Sequence, residues 1–355
     1  MGCKSFFTAG LGGCLLVGAI PVGGALAQDN ASLTEIPAEG EQIGNSRFER
    51  SVGPTIVNRG SELYTFSSFK LDSEDGKRHY WVQIGIPKRP APSDGYPVIY
   101  MVDGNAAMGL IKESELEAMD ILSPPVLVAV GYDTYSRLDT LSRAYDYTPP
   151  VVQDGKSIDP VVRGRPGGGA EIFANFIENT IKPRVEALTT IDRNRQTLWG
   201  HSYGGLFTLY TLHAHPNYYQ RYAAGDPSLW YHDGELVQSI LATPKGAVAG
   251  RTVRLMSGGG RIASATAQDQ AQQSQAQNAR RASVATAAAQ AAPRQPDTSR
   301  GLPRMPDAMQ RVLAALSEGG ATISYRQFPG LSHGEMMGAS LVPALMLAAR
   351  PQDAD

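Results

Sequence analysis

The chain is short of the residues that would mark a disulfide scaffold or a polyelectrolyte. It has two cysteines in 355 residues, and both, Cys3 and Cys14, lie near the N-terminus, so the body of the chain can form no disulfide. Charged residues are 19% of the total and the net charge is −2. That balance gives neither the basic field of a nucleic-acid binder nor a signal for a membrane surface. No internal repeat and no strong linker divides the chain.

One long apolar run is present, and it lies at the start. Lys4 precedes a Gly-rich apolar stretch, residues 6–26, which closes in Ala25-Leu26-Ala27 before the polar Gln28-Asp29-Asn30. Such an order reads as a secretory signal peptide, residues 1–27, cleaved after Ala27. Pro21 and several glycines interrupt the run and argue against a membrane anchor. Leu11-Gly12-Gly13-Cys14 has the look of a lipoprotein box but arrives too early in the run. The expectation is a periplasmic or secreted protein without thiols, with no integral membrane span after cleavage. About 330 residues then remain (28–355), enough for a single large α/β domain.

The richest segment is Thr197-Leu198-Trp199-Gly200-His201-Ser202-Tyr203-Gly204-Gly205-Leu206. A buried strand at 196–199 runs into G-x-S-x-G, and Leu206, Leu209, Tyr210 and Leu212 then recur at helical spacing. Strand, tight turn and helix in this order form a nucleophile elbow, which lifts the Ser202 hydroxyl out of the sheet edge. A serine hydroxyl becomes a nucleophile when a histidine takes its proton. Of six histidines, His333 is the best placed, in the Pro/Gly turn Phe328-Pro329-Gly330-Leu331-Ser332-His333-Gly334 after an alternating strand at 322–328. His201 fills the variable elbow position, and His213 and His215, two apart, do not share a helix face and make a poor metal pair.

An oxyanion hole calls for the amide after the nucleophile, that of Tyr203, and one more from the loop after the strand Pro97-Val98-Ile99-Tyr100-Met101-Val102. Gly104 or Asn105 can supply it. The acid is less clearly marked. The strand at 252–256 is followed by Ser257-Gly258-Gly259-Gly260-Arg261, which holds no carboxylate. Asp269 and Asp297 fall in or beside an Ala/Gln tract. Asp226, after the short strand at 221–225, is the better candidate, against the alternatives of a simple turn aspartate or a Ser-His dyad with a backbone carbonyl orienting the ring. No cofactor or metal is expected. Glycines 167–169 lack the Lys-Ser/Thr that a phosphate loop would need.

Strands alternating with helices predict an α/β-hydrolase fold, a mostly parallel central sheet with helices on both faces and the ligand crevice at the carboxyl ends of the strands. Leading strands are expected at 64–71 and 79–86, another at 126–130, and a helix at 172–188 kinked at Pro183.

Several blocks in order carry a resemblance. Tyr96 to Asn105 resembles the strand and oxyanion turn of the putative-esterase family of α/β hydrolases. Arg143-Ala144-Tyr145-Asp146-Tyr147-Thr148-Pro149 is similar to its R-x-x-D-[LY]-T-P segment, Gly200 to Leu206 to its G-H-S-x-G-G-L elbow, Pro227-Ser228-Leu229-Trp230-Tyr231 to its S-P-S-L-W-W stretch, and Phe328 to Gly334 to its F-P-G-x-x-H-G end. The resemblance covers residues 63–347 and is strongest to the periplasmic esterases of enterobactin- and salmochelin-type siderophores. Two departures stand out: Asp226 replaces a serine before Pro227, and a G-x-x-E after the strand at 252–256 is missing.

The resemblance implies a serine esterase acting on the ester or lactone bonds of a small-molecule substrate such as a ferric catecholate siderophore, through an acyl-enzyme on Ser202 with His333 as base. The segment 131–169, with Arg137, Arg143, Arg163 and Arg165 among Tyr132, Tyr135, Tyr145 and Tyr147, suits an anionic aromatic ligand, although each arginine has an alternative partner in Asp139, Asp146, Asp154 or Asp159. Arg143, Trp230 and Tyr231 are the expected substrate contacts. Alternatives are a secreted carboxylesterase or acyltransferase on carbohydrate or aromatic esters, and a non-catalytic binding protein on a hydrolase scaffold.

Residues 262–300 are Ala/Gln-rich and carry few large apolar side chains, so they read as a disordered insertion. Deleting them is expected to leave the melting temperature and esterase activity nearly unchanged. A large drop in either, by thermal denaturation or ester hydrolysis, would show that the tract packs on the domain.

Overall fold

Eight strands pair into one sheet in the computed structural model, which describes residues 50–153, 156–162, 164–259 and 307–351. The expected signal peptide, Arg163, Asp269 and Asp297 and the 262–300 tract lie outside the described residues. The strands are β1 (Tyr64–Asp72), β2 (His79–Pro87), β3 (Tyr96–Val102), β4 (Val126–Tyr132), β5 (Ile191–His201), β6 (Arg221–Gly225), β7 (Thr252–Gly258) and β8 (Thr322–Phe328). Their spatial order is β1-β2-β4-β3-β5-β6-β7-β8. β2 is antiparallel to both neighbours, and every other pairing is parallel. This is the α/β-hydrolase arrangement expected from the sequence.

The helices are α1 (Ile56–Arg59), α2 (Gly104–Leu110), α3 (Glu113–Asp120), α4 (Ser142–Asp146), α5 (Ala170–Phe176), α6 (Lys182–Glu186), α7 (Tyr203–Ala214), α8 (Glu235–Leu241), α9 (Ala308–Glu318) and α10 (Met336–Ala349). Every residue of β3 and β4 is buried, because helices cover the sheet on both sides and a strand there reads as one continuous apolar run. Successive side chains still point to opposite faces. Val98, Tyr100 and Val102 join one core with Phe173, Leu209, Val237 and Val312, from α5, α7, α8 and α9. Ile99 and Met101 join the other with Ala106, Leu116 and Leu341, from α2, α3 and α10.

The helix expected at 172–188 runs from Ala170 to Glu186 but is not kinked as a single α-helix. A π-helical turn, Ile177–Ile181, separates α5 from α6 and leaves Pro183 in the first turn of α6. The wider hydrogen-bonding turn just before it accommodates, within a continuous helical run, a residue that has no N–H to donate. β5 is longer than the expected strand at 196–199 and begins at Ile191.

Trp199 ties the elbow strand to α10. Its side chain is 0% exposed, and the indole Nε1–H donates to Ser340 Oγ of α10 at 3.3 Å. Trp199→Ala should lower unfolding free energy by about 3–5 kcal/mol, read from urea denaturation. A loss below about 1 kcal/mol would mean that α10 does not rely on this ring.

Candidate active site

Parallel pairing sets the level of the site. β6 runs beside β5 with Gly225 opposite His201, so the next residues, Asp226 and Ser202, leave the sheet side by side. β3 lies on the other side of β5 with Met101 opposite Trp199, which brings Asp103 level with His201. At each of these three strand ends the chain turns through a positive φ at a non-glycine residue: Asp103 (55°), Ser202 (61°) and Asp226 (41°). Such a conformation costs about 1–3 kcal/mol per residue and persists where surrounding contacts hold it.

Those contacts are specific. The Ser202 amide donates to Gly225 O at 2.9 Å, the Ser228 amide to Ser202 O at 3.1 Å and the Asp226 amide to Met256 O at 2.7 Å. Gly200 is required for the elbow, since a Cβ there would lie 2.2 Å from Gly204 O. At the end of β7 the histidine loop folds directly over Gly258, where a Cβ would meet Leu331 O at 2.6 Å.

The structure brings Ser202, His333 and Asp226 together. His333 Nε2 is 2.9 Å from Ser202 Oγ, and His333 Nδ1 is 2.5 Å from Asp226 Oδ2. An ionised carboxylate only accepts, so Nδ1 carries the proton and Nε2 presents its lone pair to the serine. The imidazole is half-exposed, while Asp226 is more enclosed. Tyr203 and Gly104 open α7 and α2, where backbone N–H groups point outward along the helix axis. The Asn105 side chain is committed elsewhere: it donates to Tyr132 O and Thr134 O and accepts from the Tyr132 amide. Only its backbone amide is left for an oxyanion.

Around this centre, Arg143 clamps Asp103 with two hydrogen bonds, Nε to Oδ1 and Nη2 to Oδ2, both 2.8 Å. The Asp103 amide donates to the Tyr147 hydroxyl at 2.9 Å. The strained residue is thereby held at both its carboxylate and its backbone. The guanidinium also lies 5.4 and 5.5 Å from the ring centres of Tyr147 and Tyr203, which fixes it beside the elbow. Behind it, Asp146 accepts from Arg78 at 3.0 Å and from the hydroxyls of Tyr80 and Tyr132 at 3.0 and 2.9 Å.

Other expected substrate contacts are placed differently. Tyr231 is 3% exposed and packs edge-on against Tyr203 with 5.9 Å between ring centres, so it supports the elbow and does not line a crevice. Trp230, partly exposed, stays at the rim against Tyr203. Tyr132 and Tyr147 are buried in the core, and Tyr145 lies under the Arg78 guanidinium. Among the four tyrosines of the 131–169 segment, Tyr135 is the one that projects into solvent. Asp146 pairs with Arg78, an arginine outside that segment. Three further residues border the centre without a local sequence signal: His201, Ser228 and Asp103.

His201 is buried, and its Nε2 lies 2.8 Å from the carbonyl oxygen of His333. A carbonyl only accepts, so Nε2 carries the proton and the ring ties the histidine loop to the elbow. Burial, helped by the nearby His333 and Arg143, pushes its pKa down to about 3. Donor atoms of His201, Asp226 and His333 lie within 4.8 Å of one another, a spread suited to a cation. Both nitrogens of His333 and the Nε2 of His201 are already spent on Asp226, Ser202 and the backbone.

Comparison with known proteins places the chain in a family. A family model described as "Putative esterase" matches residues 73–295. The apo-salmochelin esterase of Escherichia coli O6:H1 (strain CFT073) is 43% identical over 180 residues, 51% of this chain and 56% of that protein. The ferri-bacillibactin esterase BesA of Bacillus subtilis (strain 168) is 38% identical over 169 residues, 46% of this chain and 58% of that protein. The chain thus spans a little over half the length of the curated relatives it matches. Among solved structures, the enterobactin and salmochelin hydrolase IroE superposes with a TM-score of 0.63 at 31% identity, over 83% of this chain and 99% of that one.

The depressed pKa of His201 has a consequence for stability. In the unfolded chain this histidine binds a proton below about pH 6.5, whereas the folded protein keeps it neutral down to about 3. Below pH 6.5 the unfolded state therefore binds more protons, and stability falls as pH falls, by up to about 1.4 kcal/mol per pH unit for this group. Urea unfolding between pH 7 and 4 should show that slope, reduced by close to one proton in His201→Gln. An unchanged slope in the variant would assign the titration to other groups.

Proposed function

The chain belongs to the putative-esterase family of α/β hydrolases, and on that premise we propose that it is a serine esterase opening the ester or lactone bonds of a catecholate siderophore of the enterobactin or salmochelin type. The observation that carries the reading is the continuous hydrogen-bonded path Ser202–His333–Asp226, 2.9 and 2.5 Å long in its two steps. The names of the relatives, salmochelin and bacillibactin esterases, support the substrate class.

Each group then has a task. Asp226 holds the His333 imidazole in the tautomer that presents Nε2 to Ser202 and stabilises the imidazolium once it forms. Ser202 Oγ attacks the substrate carbonyl as its proton passes to Nε2. Negative charge on the carbonyl oxygen is met by the amides of Tyr203 and of Gly104 or Asn105. Arg143, buried and bonded through Nε and Nη2 to the Asp103 carboxylate, holds the oxyanion turn in place beside the elbow. When the C–O bond breaks, His333 returns the proton to the leaving alkoxide. A water, deprotonated by His333, then releases the acyl group from Ser202.

A periplasmic or secreted setting is part of the same proposal and rests on the leader-like residues 1–27. Among the described residues, no helix is long and apolar enough to cross a membrane.

A fluorophosphonate probe should label Ser202, and Ser202→Ala should abolish the label. Incubation with ferric enterobactin should give the linear product, heavier by one water, by mass spectrometry. Asp226→Asn should fold normally and lose kcat by something like 10³- to 10⁴-fold, because the amide permits the wrong imidazole tautomer. A loss below about tenfold would mean that the enzyme runs on Ser202 and His333 alone. A folded, unlabelled wild type would overturn the esterase reading as a whole.

A further inference from the structure

A second serine stands at the nucleophile. Ser228 is 2% exposed, two residues beyond Asp226 in the turn after β6. Its amide donates to the carbonyl of Ser202, which knits this turn to the elbow, and its Oγ is 3.3 Å from Ser202 Oγ.

The direction of that contact follows from the proton inventory. Asp226 takes the Nδ1 proton of His333, so Nε2 is an acceptor, and the single proton of Ser202 is directed to it at 2.9 Å. Nothing is left on Ser202 to donate to Ser228. The hydrogen bond between the two hydroxyls therefore runs from Ser228 to Ser202 Oγ.

Its length is informative as well. Hydroxyl-to-oxygen bonds usually fall near 2.7–2.8 Å, so at 3.3 Å the bond to a neutral hydroxyl is weak. As the Ser202 proton moves to His333, charge gathers on Oγ, and a donor facing a charged oxygen contracts and strengthens. An interaction that is weak in the ground state and strong in the transition state accelerates the chemical step and leaves substrate binding alone.

We propose that Ser228 is a further catalytic residue, whose hydroxyl stabilises the charge developing on Ser202 Oγ. This inference rests on the esterase reading above. In acylation, the Ser202 Oγ–carbonyl carbon bond forms, the Ser202 proton goes to Nε2, the ester C–O bond breaks and the leaving alkoxide takes that proton. Ser228 keeps its own proton throughout. In deacylation, Ser202 Oγ departs from carbon and regains a proton from His333, and the Ser228 hydroxyl again faces a charged oxygen. One donor serves both halves of the reaction. Alanine at 228 removes the donor and leaves the backbone bond to Ser202 in place.

The test compares wild type and Ser228→Ala in two assays, the rate of fluorophosphonate labelling of Ser202 and steady-state hydrolysis of p-nitrophenyl acetate. Labelling and kcat should both fall on the order of tenfold, with KM unchanged within twofold. In a Ser202→Ala background, adding Ser228→Ala should leave the residual hydrolysis as it is, an outcome that a general disturbance of the pocket would not give. If the alanine variant melts well below wild type, Ser228→Cys, a weak donor of similar shape, replaces it and should also be slowed. Labelling at the wild-type rate in the folded variant, or a rise in KM without loss of kcat, overturns the assignment of Ser228. A wild type that does not label at all fails the esterase reading instead, so the two failures are told apart.

Discussion

The parallel register of β5 with β3 and β6 is the constraint on which the rest depends. With Gly225 opposite His201 and Met101 opposite Trp199, three turns leave the sheet at one level, and each carries a functional group: Asp103, Ser202 or Asp226. A slip of one residue in either pairing would turn every side chain of the slipped strand to the other face of the sheet. The two cores, each supplied by alternate residues of the same strands, resist that slip. Hydrophobic burial thus sets the positions of groups that are themselves polar.

The strain at those turns is matched by polar contacts. Asp103 is gripped by Arg143 and Tyr147, Ser202 by the Gly225 carbonyl and the Ser228 amide, and Asp226 by its amide bond to Met256 and its carboxylate bond to His333. Each positive φ aims a side chain or an amide that a relaxed turn would direct elsewhere. Rigidity at the strand ends is consistent with a site organised before substrate arrives, in which little reorganisation is left for the reaction itself.

Much of this was legible in the sequence. Gly200, Ser202 and Gly204, set between an apolar strand and an apolar helix, specify the elbow locally, and the Pro/Gly turn around His333 follows its strand directly. With no carboxylate directly after the strand at 252–256, Asp226 at the end of the neighbouring strand is the candidate acid, and its carboxylate meets His333 Nδ1. Other features depend on contacts distant in sequence. Nothing near Arg78 announces Asp146, which is reached only when β2 lies beside β4. Arg143, Tyr132 and Tyr147 were read as a binding surface because an Arg/Tyr-rich loop has the same composition whether it faces a ligand or the core. Their burial follows from the phenol and guanidinium groups satisfying one another and Asp103. His201 and Ser228 were passed over because one sits at the variable position of the elbow and the other in a turn. Their relevance is visible only as distances to His333 and Ser202.

The central claim is that Asp226, on the turn after β6, is ionised and hydrogen-bonded to the Nδ1 proton of His333. Proton NMR of the wild type in water tests it directly, since an imidazole proton held against a carboxylate resonates far downfield of the amide region. The account predicts one such resonance, assigned to His333 by its loss in His333→Ala and lost or moved strongly upfield in Asp226→Asn. A spectrum without it, or one in which it survives unchanged in Asp226→Asn, would contradict the account and leave the imidazole oriented by some other group.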